Sequence, residues 1–285
     1  MQPNVELIAI GNELLVGQVL DSNSHWLIKN LTASGATVRR VQMIRDEYDE
    51  IEATFKAAFA RKPRLIITTG GLGPTDDDLT ARAIAQTFGV TLHENAIAIE
   101  MLTTRYAHLA SIRPGYSAEL NDARRKMALF PLLAEPLANS DGAAPAICID
   151  VDTRTTQIVP AGSGDCTVVC LPGVPKEMKE IFQNSMQHVL ARTVGAGGYI
   201  ERNIVLDRGD ESRIAGMLQT CQERHSQVYI KSRGQLFADI GQRLTVVLSI
   251  GGPDLAHVRA LEHVCEQDVL FGLKELGYDV LRVTE

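Results

Sequence analysis

Residues 64–85, RLIITTGGLGPTDDDLTARAIA, decide how this chain folds. Leu65–Thr69 is a short run of apolar and β-branched residues, which predicts a buried strand. The glycine turn GGLG (70–73) follows, and the pattern predicts that Thr75 opens a helix. A strand, a glycine turn and a helix N-terminus together form an anion site, because backbone N–H groups converge there and glycine lets a ligand approach the main chain.

Three aspartates, Asp76, Asp77 and Asp78, stand in what the sequence predicts to be the first helical turn. Asp in a first turn interacts favourably with the helix dipole, so one such residue would need no other explanation. Three carboxylates beside a bound phosphate would repel it unless a divalent cation lies between them. The stretch therefore favours a metal-assisted phosphate site.

The residues upstream place two further polar segments at the same edge of a predicted sheet. Val5–Ile10 and Thr37–Ile44 read as strands, and helices are predicted over residues 23–34 and 48–61. This alternation of strands and helices predicts a parallel sheet, in which ligands bind at the carboxyl ends of the strands. Gly11–Glu13 and Asp46 follow the first two strands, so we expect them to meet the glycine turn and its aspartates.

The remainder of the chain predicts an α/β domain over residues 1–195 and a smaller α+β domain over residues 196–285. In the first domain, further helices are predicted over residues 94–109, 117–127 and 175–191, and further strands over 146–151 and 167–171, with a hairpin excursion at 152–165. Residues 129–131 and 136–145 read as irregular connections. Gly195–Gly198 (GAGG) reads as the linker. Beyond it, the order strand, helix, strand, strand, helix, strand predicts two helices on one face of a mostly antiparallel sheet.

Composition excludes several classes of protein. The net charge of −7 argues against a general nucleic-acid binder. No segment approaches the roughly 20 apolar residues that span a bilayer, and the N-terminus has no signal-peptide pattern. The 5 cysteines include no C-x-x-C pair, which predicts reduced, buried thiols in a cytoplasmic protein.

Four motifs in order resemble the CinA family: GNELL (11–15), DSN (21–23), TTGGLGPTDDDLT (68–80) and LPGVPKEM (171–178). The resemblance is to its N-terminal molybdopterin-binding-like domain, which is shared with MoaB, MogA and MoeA/gephyrin proteins, and it covers about residues 4–195. It implies the three-layer, mostly parallel sheet of the MoaB/MogA type, followed by the small α/β domain of CinA proteins. Longer CinA proteins carry a third domain that deamidates nicotinamide mononucleotide. The chain given ends at Glu285, and the resemblance does not extend to that activity.

The resemblance also implies a set of site residues. Asp46 and Asp78 would be catalytic and, with Asp77, would hold a divalent cation (Mg²⁺, Mn²⁺ or Co²⁺). Lys126 or Arg125 would neutralise a leaving phosphate, and Glu13 is the candidate base. The residues expected to bind substrate or phosphate are Gly11, Glu13, Asn23, Thr69, Gly70, Gly71, Gly73, Thr75, Lys126, Pro172 and Gly173.

Several functions remain open at this point. The resemblance implies metal-dependent hydrolysis of the diphosphate of ADP-ribose or a similar nucleotide. The alternatives are a module that binds molybdopterin or a nucleotide without turnover, adenylyl transfer to molybdopterin, and a regulatory subunit for a separately encoded deamidase. Self-association into a homo-oligomer is a further expectation from related proteins. One diphosphate site can serve several of these chemistries, so fold resemblance does not choose among them.

Overall fold

The computed structural model describes residues 3–195 and 197–285. Met1, Gln2 and Ala196, which belongs to the predicted linker, lie outside the described residues. The chain divides into two compact units. The large unit consists of Pro3–Asn30 and Thr37–Gly195, and the small unit combines residues 31–36 with 197–285.

The elements up to Gly195 alternate between strands and helices. The strands are β1 (Asn4–Ile10), β2 (Thr37–Ile44), β3 (Leu65–Thr69), β4 (Leu92–Glu94), β5 (Leu129–Pro131), β6 (Glu135–Leu137), β7 (Ala146–Asp152), β8 (Gln157–Val159) and β9 (Cys166–Leu171). The helices are α1 (Asn12–Leu15), α2 (Ser22–Ala33), α3 (Tyr48–Ala60), α4 (Thr80–Thr87), α5 (Ala96–Ile112), α6 (Asp122–Lys126), α7 (Pro175–Gln183) and α8 (Gln187–Thr193).

The main sheet is mixed and mostly parallel, which confirms the predicted α/β fold. Its strand order is β2-β1-β3-β9-β7-β6, and β8 pairs with β7. Strands β2, β1, β3 and β9 run parallel, whereas β7 is antiparallel to β9 and to both β6 and β8. The predicted excursion at residues 152–165 is the β7–β8 hairpin and its return. Because four neighbouring strands run parallel, their carboxyl ends lie at one edge of the sheet.

Strand β3 lies inside the main sheet, between β1 and β9. All five of its residues are buried as a consequence. On one face of the sheet, Ile66 packs with Ile51, Phe55 and Phe59 of α3 and with Ile84 of α4 in one apolar cluster. Continuous burial along β1, β3 and β9 is typical of parallel strands that are covered on both faces. The apolar runs in the sequence thus become the rigid support of the polar loops that follow them.

The predicted helix start at Thr75 is wrong. Helix α4 begins at Thr80, and residues 75–78 form a turn in which Asp78 N donates to Thr75 O at 3.1 Å. The Asp78 carboxylate stabilises this turn, because its Oδ2 accepts hydrogen bonds from Thr75 N at 3.0 Å and from Thr75 Oγ1 at 2.7 Å. Asp76, Asp77 and Asp78 therefore lie in a loop before the helix and not in its first turn. The T-x-x-D spacing fits both structures, and the local hydrogen bonds favour the turn.

Four other predictions about local structure also differ from the fold. The helix predicted over residues 117–127 is only α6, because the Asn121 side chain caps it by accepting from Arg124 N at 3.0 Å. The helix predicted to reach residue 191 breaks into α7 and α8, and Ser185 Oγ in the break donates to Ala138 O at 2.6 Å. The residues after the first predicted strand, which the sequence predicts to be a loop from 11 to 17, contain α1, and the connections predicted at 129–131 and 136–145 contain β5 and part of β6.

The small unit is built on a second, antiparallel sheet, as the sequence predicts. Its elements are β10 (Gly198–Leu206), α9 (Glu211–Arg224), β11 (Tyr229–Phe237), β12 (Gly241–Gly252), α10 (Leu255–Glu275) and β13 (Val280–Thr284). The strand order is β11-β12-β10-β13, with every pairing antiparallel. One core joins Ile214 and Leu218 of α9, Val269 of α10, and Val246 and Leu248 of β12.

The cysteines are free and buried, as predicted. Burial raises the pKa of the Cys148, Cys170 and Cys265 thiols to about 12. Within the part of the chain that the structure describes, no helix combines the length and the hydropathy that crossing a bilayer requires.

A buried ion pair ties α8 to the hairpin strands of the large unit. The Asp150 carboxylate of β7 is only 1% exposed and pairs with the guanidinium of Arg192. It also accepts hydrogen bonds from Thr167 Oγ1 at 2.5 Å and from Gly162 N. Removing one partner of a buried ion pair leaves an uncompensated charge, which is costly.

We expect Arg192→Met to destabilise the large unit by about 3–5 kcal/mol, because Asp150 would stay buried without its cation. Arg154→Met is the matched control: Arg154 pairs with Asp152 in the same hairpin but is 79% exposed, so its loss should change the free energy of unfolding far less than that of Arg192. Urea unfolding measures both values. Equal, small losses in the two variants would contradict this account of Asp150.

Candidate functional site

A cavity of about 440 Å³ opens at the carboxyl ends of the parallel strands. Loops that follow β1, β2, β3 and β9 form it, together with α5 and the loop before β7. Its lining residues are Ile10, Glu13, Asp46, Gly70, Gly71, Leu72, Gly73, Pro74, Asp77, Asp78, Tyr106, Met127, Ala143, Ala144, Pro172, Gly173, Val174 and Glu177. The three strand ends that the sequence predicts to converge therefore meet at this cavity.

The glycine turn at the floor of the cavity depends on positions that have no room for a side chain. Gly70 has φ +106°, and a Cβ there would overlap the carbonyl oxygen of Ile10. Gly71 has φ +67°, and its Cβ would overlap Thr80 Oγ1. Gly70 N donates to Leu171 O at 3.0 Å, and Thr80 Oγ1 donates to Gly70 O at 2.9 Å. The turn is held from β9 on one side and from the start of α4 on the other.

Three consecutive backbone N–H groups in this turn have no acceptor. Among the described residues, the N–H groups of Gly71, Leu72 and Gly73 donate to no carbonyl or side-chain oxygen, although all three residues line the cavity. Successive free N–H groups in a glycine turn form a concave site for an anion. The turn therefore offers three donors to an anion by itself, whereas the helix N-terminus that was expected to assist it begins only at Thr80.

Carboxylates dominate the electrostatics of the cavity. Five acidic residues line it, and no Lys, Arg or His is among the lining residues described above; the five are Glu13, Asp46, Asp77, Asp78 and Glu177. A phosphate drawn to the glycine turn would lie among these negative charges. Unscreened repulsion at such short range would weaken its binding, so the site needs a compensating cation.

Asp46 is the most constrained of these acids. Its Oδ2 accepts a hydrogen bond from Asn12 N at 3.3 Å, whereas its Oδ1 is buried and has no hydrogen-bond partner. Burial raises the pKa of Asp46 above its ordinary value of 3.8, and the nearby charges of Glu13 and Asp78 raise it further, against the lowering effect of the Asn12 hydrogen bond. A buried carboxylate oxygen without a hydrogen-bond donor needs a partner, and its free lone pairs can bind a cation.

The donor set fits a hard divalent cation. Carboxylate oxygens are the preferred ligands of Mg²⁺ and Mn²⁺. Among the described residues there is no group of three or more His, Cys, Asp or Glu side chains that could hold a metal by itself. Mg²⁺ commonly binds through one or two carboxylates together with substrate phosphates, so Asp46 and Asp78 fit a cation that arrives with its ligand.

Five of the residues predicted from the sequence as ligand-binding lie outside the cavity lining: Gly11, Asn23, Thr69, Thr75 and Lys126. Asn23 supports Gly173, which lines the cavity, because its Nδ2 donates to Gly173 O at 2.8 Å. Lys126 Nζ donates to the carbonyls of Thr75 and Asp78, so its charge holds the aspartate loop. Arg125 forms an ion pair with Glu94 at 2.6 Å.

Sequence reasoning did not predict several other residues that line the cavity. These are Ile10, Leu72, Pro74, Tyr106, Met127, Ala143, Ala144, Val174 and Glu177. Residues 136–145 read as irregular connections in the sequence, yet Ala143 and Ala144 line the cavity. Glu177 had a usable signal, because it lies one helical turn after Gly173 in the LPGVPKEM motif.

Comparison with known proteins identifies one family and several similar proteins. A family model described as "Probable molybdopterin binding domain" matches residues 6–192. A protein from Sulfurisphaera tokodaii is 34% identical over 275 residues, covering 95% of this chain and 94% of its own. A protein from Pyrobaculum arsenaticum is 37% identical over 232 residues, covering 81% of this chain and 80% of its own. The crystal structure of the protein CinA, of unknown function, from Thermoplasma acidophilum has a TM-score of 0.54 at 31% identity, covering 66% of this chain and 98% of that chain.

The raised pKa of Asp46 predicts how stability depends on pH. The folded-state pKa of Asp46 lies above its unfolded value, so the protonated carboxyl stabilises the fold at low pH. This stabilisation is lost as the pH rises through the folded-state pKa, because the buried carboxylate then carries a charge. We therefore expect Asp46→Asn to raise the free energy of unfolding of the cation-free protein at about pH 7. Below the unfolded value of 3.8 the difference should vanish. Urea unfolding at the two pH values, with EDTA present, measures the effect; a difference that is independent of pH would contradict it.

Proposed function

The chain is a CinA-like member of the family of probable molybdopterin-binding domains, and from this premise we propose that its cavity binds a phosphate-bearing pterin or nucleotide together with a divalent cation. The free N–H groups of Gly71, Leu72 and Gly73 carry the proposal, because they offer three adjacent donors to phosphate oxygens. The backbone is already fixed in position by Gly70 and Thr80, so little ordering is required when the ligand binds.

The acidic residues of the cavity are the reason for proposing a divalent cation. Asp46 and Asp78 would hold the cation, which would neutralise charge on the phosphates. Asp46 supplies the buried Oδ1 that has no donor, and Asp78 keeps its Oδ2 on Thr75 and has Oδ1 to offer. Asp77 lies beside them on the cavity wall.

Titration calorimetry with 6-hydroxymethylpterin diphosphate tests this proposal, because that compound joins a pterin ring to a diphosphate. We expect Mg²⁺-dependent binding that EDTA abolishes. Asp46→Asn and Asp78→Asn should each weaken it about tenfold or more, because each removes a charge-assisted contact to the cation. Asp76→Asn is the matched control, since Asp76 belongs to the same loop but does not line the cavity. Equal affinity with and without Mg²⁺ would overturn the role of the cation.

Hydrolysis of a nucleotide diphosphate such as ADP-ribose is a second candidate function, favoured by Glu13, a carboxylate that lines the cavity beside Asp46 and Asp78. Asp46 and Asp78 would hold the cation, which leaves Glu13 as the candidate general base. Glu13 could accept a proton from a water molecule that attacks phosphorus, so that the bond between phosphorus and the bridging oxygen breaks. ADP-ribose and water would then yield AMP and ribose 5-phosphate. A divalent cation would stabilise the charge that develops on the leaving phosphate.

Incubation of the protein with ADP-ribose and Mg²⁺, Mn²⁺ or Co²⁺ tests this second function. Chromatography should detect AMP with the unsubstituted protein. Glu13→Gln should lower the rate about a hundredfold through loss of the general base, and Asp46→Asn should lower it by a similar factor through loss of a cation ligand. Asp76→Asn should leave the rate unchanged. If no AMP forms with any metal while the pterin diphosphate binds, the protein is a binding module and not a hydrolase.

A further inference from the structure

We infer that Glu177 selects the ring of the ligand: it recognises the 2-amino-4-oxo edge that pterins and guanine share, and it discriminates against adenine. This inference rests on the first proposed function, binding of a phosphate-bearing pterin or nucleotide, because it concerns the ring attached to the phosphates that the glycine turn would hold; ADP-ribose, the substrate of the second, carries adenine. It assigns a role to the part of the cavity where Glu177 of α7 lies against Gly142.

The position of Glu177 follows from the wall that links the two sides of the cavity. Gly173 lies against the glycine turn, since a Cβ on it would be 3.4 Å from Gly70 Cα. Glu177 follows one helical turn later, in the first turn of α7. Its carboxylate lies against the backbone of Gly142, where a Cβ would overlap both oxygens. The segment 173–177 thus runs from the phosphate site to the loop that contains Ala143.

The surroundings of Glu177 suit a flat heteroaromatic ring. Tyr106, Ala143 and Val174 line the cavity together with Glu177 and offer largely apolar surface. Tyr106 is itself held in place by the Arg124 guanidinium, which lies 3.8 Å from the centre of its ring. An apolar slot with one fixed polar group is the usual arrangement of a site that orients a ring.

The carboxylate is held rigidly and keeps accepting capacity. Glu177 Oε2 accepts one hydrogen bond, from Asn139 Nδ2 at 2.7 Å, and in the described part of the chain no donor reaches Oε1. The Asn139 amide is fully used, because Nδ2 also donates to Ala144 O at 3.0 Å and Oδ1 accepts from Gly142 N at 2.7 Å. Glu177 is therefore a pure acceptor whose neighbouring amide has no donor left for a ligand.

The pattern of donors on the ring then decides which ligand fits. Pterin and guanine present two adjacent donors, a ring N–H and an exocyclic amino group, which match the two oxygens of a carboxylate. Adenine presents an amino donor beside a ring nitrogen that is an acceptor. One carboxylate oxygen would face that lone pair without a proton between them, which costs binding energy. A glutamate at position 177 thus favours a 2-amino-4-oxo ring.

Titration calorimetry in the presence of Mg²⁺, with GDP, ADP and 6-hydroxymethylpterin diphosphate, tests the inference. We expect GDP or the pterin diphosphate, or both, to bind at least about tenfold more tightly than ADP, as two charge-assisted hydrogen bonds allow. The two arms identify whether the ring belongs to a nucleotide or a pterin. Glu177→Gln should reduce this preference to within about threefold or reverse it, because a carboxamide offers one donor and one acceptor, as adenine does.

Glu180→Gln is the matched control. Glu180 lies on the same helix and accepts from Ser140 N at 3.1 Å, in the same loop, but it does not line the cavity. The preference should survive in this variant. Comparable binding of all three ligands, or a preference unchanged by Glu177→Gln, would overturn the inference and leave the phosphate site intact. Binding of none of them would overturn the proposed function and with it the inference.

Discussion

The close approach of three strand ends at Gly70 is the constraint on which the site depends. The N–H group of Gly70 reaches the carbonyl of Leu171 on β9, and its Cα lies against the carbonyl of Ile10 on β1. A side chain on Gly70 would separate these strands at their carboxyl ends. Because the strands meet so tightly, the loops that follow them are brought around one cavity, and the next three N–H groups are left without acceptors. Thr80 completes the arrangement by fixing the turn from the start of α4.

The same convergence explains why the cavity is acidic. Each loop contributes carboxylates: Glu13 after β1, Asp46 after β2, and Asp77 and Asp78 after β3. Burial, together with repulsion from Glu13, Asp78 and Asp77, raises the pKa of Asp46. A cation bound among these carboxylates would relieve that repulsion, and a phosphate on the glycine turn would then gain from the cation. Cation and phosphate should consequently bind cooperatively, since each reduces the electrostatic cost of the other.

Helix α7 and residues 139–145 together form a wall of the cavity that carries the Glu177 carboxylate. Side chains of α7 hold this loop at several points: Glu177 accepts from Asn139, Glu180 accepts from Ser140 N, and Lys176 pairs with Asp141 at 2.8 Å. A rigid wall that carries one carboxylate can distinguish rings by their hydrogen-bonding edges. The phosphate end of the cavity would provide affinity for a class of ligands, and the ring end would choose among them.

The amino-acid sequence by itself determined the main buried strands, the parallel direction of the first three and the glycine turn, because these depend on apolar runs and on glycine within short segments. Convergence of Glu13, Asp46 and Asp78 was predictable from the rule that parallel strands share one edge. The start of α4 was not, because T-x-x-D at residues 75–78 allows either a capped helix or a turn, and Lys126 holds the turn through contacts distant in the chain. Only the tertiary structure placed Tyr106, Ala143 and Glu177 in the cavity, because long-range packing of α5 and α7 brings them there. The local sequence could specify the glycine turn, to which we assign the phosphates, whereas the part of the cavity to which we assign the ring forms only where separate elements meet.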